Sequence, residues 1–406
     1  MSRGSIKMHL KYFPHTVTGI DTTAFRHNDG PNQKQINFTD KIKDETIFVG
    51  LGFEYPDVFI KHRQKYVDFF NKIKDAKTLV MIFKEGYCHH TCYVDESPTV
   101  MGVKRSWYVE LMKMLEEADV PFDKVHFALS DHEIEKYTQE FKLPFRFHRY
   151  NSEITNRLNR LEEYQTVIDP EEVIKNKTNN FTFLVRQKRL HRISLLALLH
   201  SENLLDKMFW TFQAGLSTGQ INKWRHSDFS GTYVDKFDCD LDEVCKLVPK
   251  HFDGTHTANQ WLINQSKEYL LRASTRFDVV TETCFDKNLN PGDQTLFVTE
   301  KSTQCLAFGQ LPFIFATQNH MRCLVEEYGF KFDDKFLKVD AIDDGFTRMK
   351  AMVDLIKQAN ADPETFYQKH LKDIEYNAKN VFDLMKGKAK KDERELAKIV
   401  DLSREI

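Results

Sequence analysis

Short apolar runs alternate with amphipathic stretches along most of the first half of the chain. Apolar runs of strand length occur in "ETIFVGLGF" (45–53), "KTLVMIFKEG" (77–86) and "KVHFALSD" (124–131). The intervening segments, such as "SWYVELMKMLEEADV", repeat apolar residues at helical spacing. Strands that alternate with helices are typical of βαβ units around a parallel sheet. The pattern therefore predicts an α/β fold, with any ligand at the carboxyl edge of the strands.

A polar stretch at residues 150–180 separates this region from a second α/β pattern. The second pattern contains the apolar runs "FTFLV", "RFDVVTETCF", "TLFVTEK" and "LPFIFAT", with helical spacing between them. At 406 residues the chain is also too long for one ordinary core. We predict an N-terminal α/β domain at 1–179, a C-terminal α/β domain at 180–358 and a helical extension at 359–406.

Composition narrows the class of protein. Hydrophobic residues make up 41% and charged residues 29%, as in folded globular proteins, and the net charge of -2 gives no global attraction to nucleic acid. No apolar run approaches the ~18 residues of a transmembrane helix, so we expect no membrane span. Seven cysteines, an odd number without framework spacing, indicate reduced thiols and a cytoplasmic protein.

A cluster of cations follows the first strand of the second pattern. The segment "LVRQKRLHR" places Arg186, Lys188, Arg189 and Arg192 at a strand-to-helix turn. A phosphate there would receive amide hydrogen bonds from the helix start and charged hydrogen bonds from the side chains. A solvated basic turn explains the spacing equally well. No glycine-rich phosphate loop accompanies the cluster, which disfavours a P-loop kinase or a dinucleotide dehydrogenase.

A second charged turn lies at Thr299-Glu300-Lys301, before the helical segment "STQCLAFGQ". The hydroxyl of Thr299 suits a helix N-cap. If this turn ends a parallel strand, a carboxylate there can accept hydrogen bonds from ribose hydroxyls. The neighbouring ammonium can neutralise a diphosphate and stabilise it as a leaving group.

The order strand, Thr-Glu-Lys, helix with small residues, Gly-x-x-Pro, strand resembles the donor-site motif of fucosyltransferase-like glycosyltransferases. The resemblance covers roughly residues 181 to 358 and implies two facing Rossmann-like domains, the glycosyltransferase B architecture, with inverting sugar transfer. It implies that Glu300 contacts the ribose and Lys301 the phosphates. It also places Arg186 or Lys188, and next Arg192, on the diphosphate. Glu282, on the preceding segment, is a further donor-binding candidate.

Sugar transfer also requires a base that deprotonates the acceptor hydroxyl. The catalytic candidates are a carboxylate or an imidazole that follows a predicted strand of the N-terminal half, and each has an alternative as a turn or cap residue: Glu54, Glu85, and Asp131 or His132. We expect no metal and no cofactor. The segment "GYCHHTC" (86–92) offers zinc ligands but lacks a second ligand pair, and "DCD" (238–240) has the position of helix-capping acids.

The sequence leaves the acceptor open between a glycan, a small molecule and the hydroxyl of a hydroxymethylated DNA base. The nucleotide-sugar donor is the other expected partner. Two alternatives from different classes remain: a non-catalytic nucleotide-binding module that kept the fold, and a phosphate-handling enzyme that uses the same cations.

Overall fold

The computed structural model describes residues 12–13, 46–51, 63–83, 92–94, 103–105, 107–129, 144–149, 170–186, 189–213, 215–217, 219, 241–251, 267–286, 296–379, 381, 383 and 387. These residues fall into two compact units, one up to residue 149 and the other from residue 170 onward. Each unit contains a parallel sheet with helices, which confirms the predicted α/β class. No helix within the described ranges is long and apolar enough to cross a membrane.

The first unit is built on a five-stranded parallel sheet. Its order across the sheet follows the chain: β1 (Tyr12–Phe13), β2 (Thr46–Leu51), β3 (Thr78–Phe83), β6 (Val125–Leu129) and β7 (Arg146–Arg149). A separate antiparallel pair is formed by β4 (Cys92–Val94) and β5 (Val103–Arg105). Parallel neighbours need a crossover connection, and the helices α1 (Arg63–Ile73) and α2 (Trp107–Glu117) lie in two of these connections.

The described helices of the first unit, α1 and α2, each bury one face in its core. Their buried side chains recur every three or four residues, which places them on one stripe of each helix. These are Tyr66, Val67, Phe70 and Ile73 on α1, and Leu111, Met114 and Leu115 on α2. They pack in one cluster with Leu79 and Met81 of β3 and with Phe127 of β6.

The second unit is built on a four-stranded parallel sheet. Its order across the sheet is β11 (Leu311–Phe315), β10 (Thr275–Thr281), β8 (Asn179–Val185) and β9 (Met208–Phe212). All five residues of β11 and most of β10 are buried. Such continuous apolar strands are typical of parallel sheets that are covered on both faces. Because the strands are parallel, their carboxyl ends share one edge.

Helices account for most of the remaining described residues of the second unit. They are α3 (Pro170–Lys175), α4 (Leu190–Ser201), α5 (Leu241–Lys246), α6 (Lys267–Ser274), α7 (Glu300–Ala307), α8 (His320–Tyr328), α9 (Asp334–Asp340), α10 (Gly345–Ala361) and α11 (363–379). Gly329 ends α8 at a φ of 72°, in the left-handed conformation that favours glycine. The two charged turns of the sequence lie at the starts of α4 and α7. Each of these helices leads to a strand of the sheet.

The segment before β8 packs on the second unit. At Gly309, φ is 60° and an added Cβ would lie 2.6 Å from Cγ1 of Ile174 on α3. Tyr367 of α11 donates to the Gly309 carbonyl oxygen at 2.7 Å. The junction predicted at residue 179 therefore falls inside the second compact unit. The same unit includes the described first part of the predicted 359–406 extension.

Residues 296–298 form no strand, although the apolar run "TLFV" predicts one. Phe297 and Val298 are buried as the run predicts. The sheet has no vacant position beside β10, because β10 pairs with β8 on one side and with β11 on the other. Thr299 therefore follows a buried apolar segment and not a strand of the sheet.

Two stacked histidines make the first unit sensitive to pH. His126 on β6 is buried, and its Nδ1 atom lies 2.9 Å from Nε2 of His148 on β7. Burial, followed by the charges of His148 and Arg146, lowers the pKa of His126 to about 4. The unfolded chain therefore takes up this proton near pH 6.5 while the folded unit resists it. Stability must fall as pH drops from about 6.5 towards 4.

We expect wild type to lose about 2 kcal/mol more unfolding free energy than His126→Gln between pH 7.5 and 5.0. Urea unfolding followed by circular dichroism at both pH values measures this difference. His251→Gln, at an exposed position, is the control and should keep the wild-type pH dependence. Equal pH dependence of wild type and His126→Gln would contradict the prediction.

Candidate functional site

The carboxyl edge of the second sheet carries the two charged turns of the sequence. Arg186 directly follows β8, and Glu282 directly follows β10. These strands are paired neighbours, so the segments that leave them are also neighbours. Open α/β sheets bind their ligands at this edge. The edge is therefore the candidate site.

The first turn of α4 bonds to the backbone that follows β10. His191 Nε2 lies 3.0 Å from the Glu282 carbonyl oxygen, and Arg192 Nη2 donates to the same oxygen at 3.1 Å. Arg189 donates to the Thr283 carbonyl oxygen at 3.1 Å. Burial, and then the charges of Arg192 and Arg189, hold the pKa of His191 well below its usual value. Neutral His191 thus donates from Nε2, because a carbonyl oxygen can only accept.

The side chain of Glu282 is an internal anion with 0% exposure. Its Oε2 atom accepts from Thr299 Oγ1 at 2.6 Å, and its Oε1 atom accepts from Ser302 Oγ and N at 2.6 and 3.2 Å. The backbone N of Thr299 adds a longer contact of 3.4 Å to Oε1. Burying a carboxylate is costly unless donors replace its water. These contacts do so, and they fix the start of α7 against the end of β10.

A buried histidine extends this cluster. His320, the first residue of α8, has 0% exposure, and its Nε2 atom lies 3.0 Å from Ser302 Oγ. Ser302 directs its only proton to Glu282, so its oxygen accepts from His320 Nε2–H. Burial lowers the pKa of His320, while the charges of Glu282 and Asp340 act in the opposite direction. His320 is therefore neutral at pH 7 and serves as a hydrogen-bond donor.

Two charged side chains at the start of α7 reach the surface. Lys301 Nζ lies 3.2 Å from Thr299 Oγ1 and 3.2 Å from Glu300 Oε1, and the side chains of Lys301 and Glu300 are 36% and 15% exposed. Thr299 also accepts from the backbone N of Lys301 at 3.2 Å, which confirms the predicted N-cap. The Thr299 hydroxyl thus contacts both ends of Lys301 and the buried Glu282.

The predicted donor residues divide into a surface group and a buried group. Arg186 is exposed, and Glu300 and Lys301 are partly exposed. Arg192 and Glu282 are buried and bond to the protein itself. The other predicted site residues lie outside the described part of the chain: Glu54, Glu85, Asp131, His132 and Lys188.

The cluster of Glu282, Ser302 and His320 does not form a nucleophilic site, although it contains the residue types of one. Each of the three has 0% exposure, so no substrate reaches the serine oxygen. A serine nucleophile also needs to pass its proton to a base, and Ser302 instead donates to the carboxylate while accepting from histidine. No local spacing pattern in the sequence points to Ser302 or His320, because the cluster joins three separate segments of the chain.

A cavity of about 570 Å³ lies elsewhere in the second unit. Its wall is formed by α3, the start of β10 and α11, and includes Glu171, Lys177, Arg276, Tyr367 and Lys379. Among the predicted donor residues that the structure describes, none lines this cavity. Lys177 Nζ donates to the carbonyl oxygens of Ala273 at 3.0 Å and Phe308 at 2.6 Å, which satisfies the ends of α6 and α7. Its amine is thus committed to the fold.

Ser302→Ala should destabilise the second unit by about 1–3 kcal/mol, because it removes a hydroxyl donor from a buried carboxylate. Chemical denaturation monitored by tryptophan fluorescence measures this loss. Ser201→Ala is the matched control: Ser201 is an exposed helical serine that donates to a carbonyl three residues back. A Ser302 variant no less stable than the Ser201 variant would argue against an anionic Glu282 in this cluster.

Comparisons with known proteins find no match to this chain among protein-family models, curated proteins or solved structures. The functional proposal therefore depends on the geometry of the sheet edge and on the sequence motif that it carries.

Proposed function

We propose that the chain is a glycosyltransferase that moves a sugar from a nucleotide-activated donor to an acceptor hydroxyl. The observation that supports this proposal is that two charged turns meet at one sheet edge. The turn that begins at Arg186 contacts the carbonyl oxygen of Glu282 through α4, and the turn at Thr299 contacts its carboxylate. The motif similar to that of fucosyltransferase-like enzymes is formed by these same turns.

Arg186 and Lys301 supply positive charge for the donor diphosphate in this proposal, with Lys188 as a third cation. Negative charge develops on the departing nucleoside diphosphate as the anomeric carbon–oxygen bond breaks. Cations already fixed in place stabilise that charge without reorganising. Glu300 accepts hydrogen bonds from the ribose hydroxyls. The protein cations carry the leaving-group chemistry, so the proposal requires no metal.

The first unit supplies the acceptor side in the two-domain architecture that the resemblance implies. A carboxylate of that unit takes the proton of the acceptor hydroxyl as its oxygen attacks the anomeric carbon opposite to the leaving phosphate, which inverts the configuration. The candidates are Glu54, Glu85 and Asp131. The acceptor in this proposal is a glycan or a hydroxymethylated DNA base.

Lys301→Ala and Arg186→Ala should each weaken donor binding about tenfold, which corresponds to ~1.4 kcal/mol. A thermal-shift screen of nucleoside diphosphates and their sugars first identifies the donor, because a ligand of the folded state raises its apparent stability. Calorimetry with that compound then measures both variants.

Lys207→Ala is the matched control for these two variants. Lys207 is exposed and lies just before β9 begins, at the opposite edge of the sheet, so its removal should leave donor affinity unchanged. Wild-type affinity in both the Lys301 and Arg186 variants would rule out the donor site. A donor that binds and is never transferred would support the non-catalytic nucleotide-binding alternative.

Glu300→Gln should raise the donor KM by about tenfold, because an amide replaces a charged acceptor of the ribose hydroxyls. Steady-state kinetics with a ribose donor and with its 2′-deoxy counterpart test this contact. Wild type should bind the 2′-deoxy donor more weakly than the ribose donor. Glu300→Gln should bind the two donors with similar affinity. If KM and kcat of Glu300→Gln equal those of wild type, Glu300 has no role at the ribose.

A further inference from the structure

The first turn of α7 already binds a negatively charged group of the protein, the Glu282 carboxylate. The Glu282 carboxylate accepts from the backbone N of Ser302 at 3.2 Å, and Thr299 Oγ1 accepts from the backbone N of Lys301 at 3.2 Å. Amides in the first turn of a helix are the groups that usually bind a phosphate. A phosphate at these two amides would have to displace a fully buried carboxylate. These two amides are therefore committed to the protein, and the Lys301 side chain is the positively charged group of this turn that can reach an anionic ligand.

Thr299 connects this buried carboxylate to the Lys301 amine. Its hydroxyl donates to Glu282 Oε2 at 2.6 Å and accepts from Lys301 Nζ at 3.2 Å. One hydroxyl proton allows only one donated bond, so the carboxylate decides which way the hydroxyl points. With the proton directed at Glu282, the oxygen lone pairs face Lys301. Buried Glu282 thus helps to orient the Lys301 amine through Thr299, and the other contact of the amine is Glu300 Oε1 at 3.2 Å.

The backbone of Glu282 is held by the other charged turn. Arg192 Nη2 donates to the Glu282 carbonyl oxygen at 3.1 Å and to the Thr281 carbonyl oxygen at 3.3 Å. Arg192 belongs to α4, the helix that follows the Arg186 turn. Glu282 therefore links both turns, through its carbonyl on one side and its carboxylate on the other.

We propose that Glu282 is a positioning residue that sets the distance between Lys301 and Arg186 at the donor site and does not itself contact the donor. This inference depends on the proposed function, because it needs a diphosphate at that edge. It assigns diphosphate recognition to the side chain of Lys301 and not to the amides of α7. It also gives Arg192 a supporting role as the anchor of the Glu282 backbone.

A double-mutant cycle with inorganic pyrophosphate as the probe tests this role. Glu282→Gln keeps the size of the side chain but replaces one acceptor oxygen by a donor, so the Thr299 hydroxyl turns away from its native direction. We expect pyrophosphate affinity to fall three- to tenfold in Glu282→Gln and about tenfold in Lys301→Ala. In the double variant Glu282→Gln should cause no further loss, because the group through which it acts is absent.

Hydrogen exchange provides a readout that does not depend on any ligand. Exchange of the Ser302 amide should accelerate at least tenfold in Glu282→Ala, which removes its acceptor, while α10 keeps wild-type protection and so reports intact folding. Glu282→Gln keeps one oxygen for this amide and should show a smaller acceleration than Glu282→Ala. If Glu282→Ala fails to fold, the pyrophosphate cycle with Glu282→Gln tests the proposal.

The possible outcomes separate the inference from the function. Affinity losses that add in the double variant, or tighter pyrophosphate binding by Glu282→Gln, overturn the positioning role alone. An unchanged Ser302 exchange rate in a folded Glu282→Ala variant does the same. A wild-type protein that binds no pyrophosphate and no nucleoside diphosphate overturns the donor site itself. Non-additive losses without sugar transfer support the positioning role and contradict the glycosyltransferase activity.

Discussion

The geometry of the second unit depends on one buried negative charge, the carboxylate of Glu282. A carboxylate without water is tolerated only where donors converge on it, and here the donors come from Thr299 and Ser302. Those residues lie 17 and 20 positions further along the chain. The need to satisfy this charge therefore fixes where α7 begins. His320 supports the same arrangement from α8 by donating to Ser302.

Charged residues have different roles inside the sheet and at its carboxyl edge. Inside the sheet, buried charged groups are paired within the protein: Arg272 with Asp278, which also accepts from Thr182 at 2.8 Å. Lys177 is committed in the same way to helix carbonyls. At the carboxyl edge the buried charges organise the backbone, while Arg186 and Lys301 remain accessible. The proposed donor site follows from this contrast, because only accessible cations can meet an anionic ligand.

Local patterns in the sequence were enough to predict much of this fold. The apolar runs and helical spacings gave the α/β class, β10, β11, α4 and the region of α7, and the hydroxyl of Thr299 gave its N-cap. The run at 296–298 was predicted as a strand because an apolar segment of that length is equally suited to a strand and to a buried extended stretch. Only the pairing of β10 on both sides decides between them.

Long-range contacts explain why the site was harder to predict than the fold. The spacing of Arg192 and Glu282 shows that charges lie near the sheet edge, but it does not show whether each one faces solvent. Whether a charge faces solvent depends on its tertiary partners. Arg192, for example, bonds to the Glu282 carbonyl oxygen, 90 residues away, and no local sequence pattern predicts such a contact. Ser302 and His320 also act through long-range contacts, so local spacing does not predict their role in the cluster. The charged residues of the sequence predict where the site lies. Only tertiary contacts show which of these residues are on the surface and which are internal.

The most direct test of this account is a crystal structure of the chain with a bound nucleoside diphosphate. We predict phosphate oxygens within hydrogen-bonding distance of the Lys301 amine and the Arg186 guanidinium. In the same structure the Glu282 carboxylate should still be bonded to Thr299 and Ser302. A diphosphate bound to the first amides of α7 with Glu282 displaced, or bound away from the carboxyl edge of this sheet, would contradict the account.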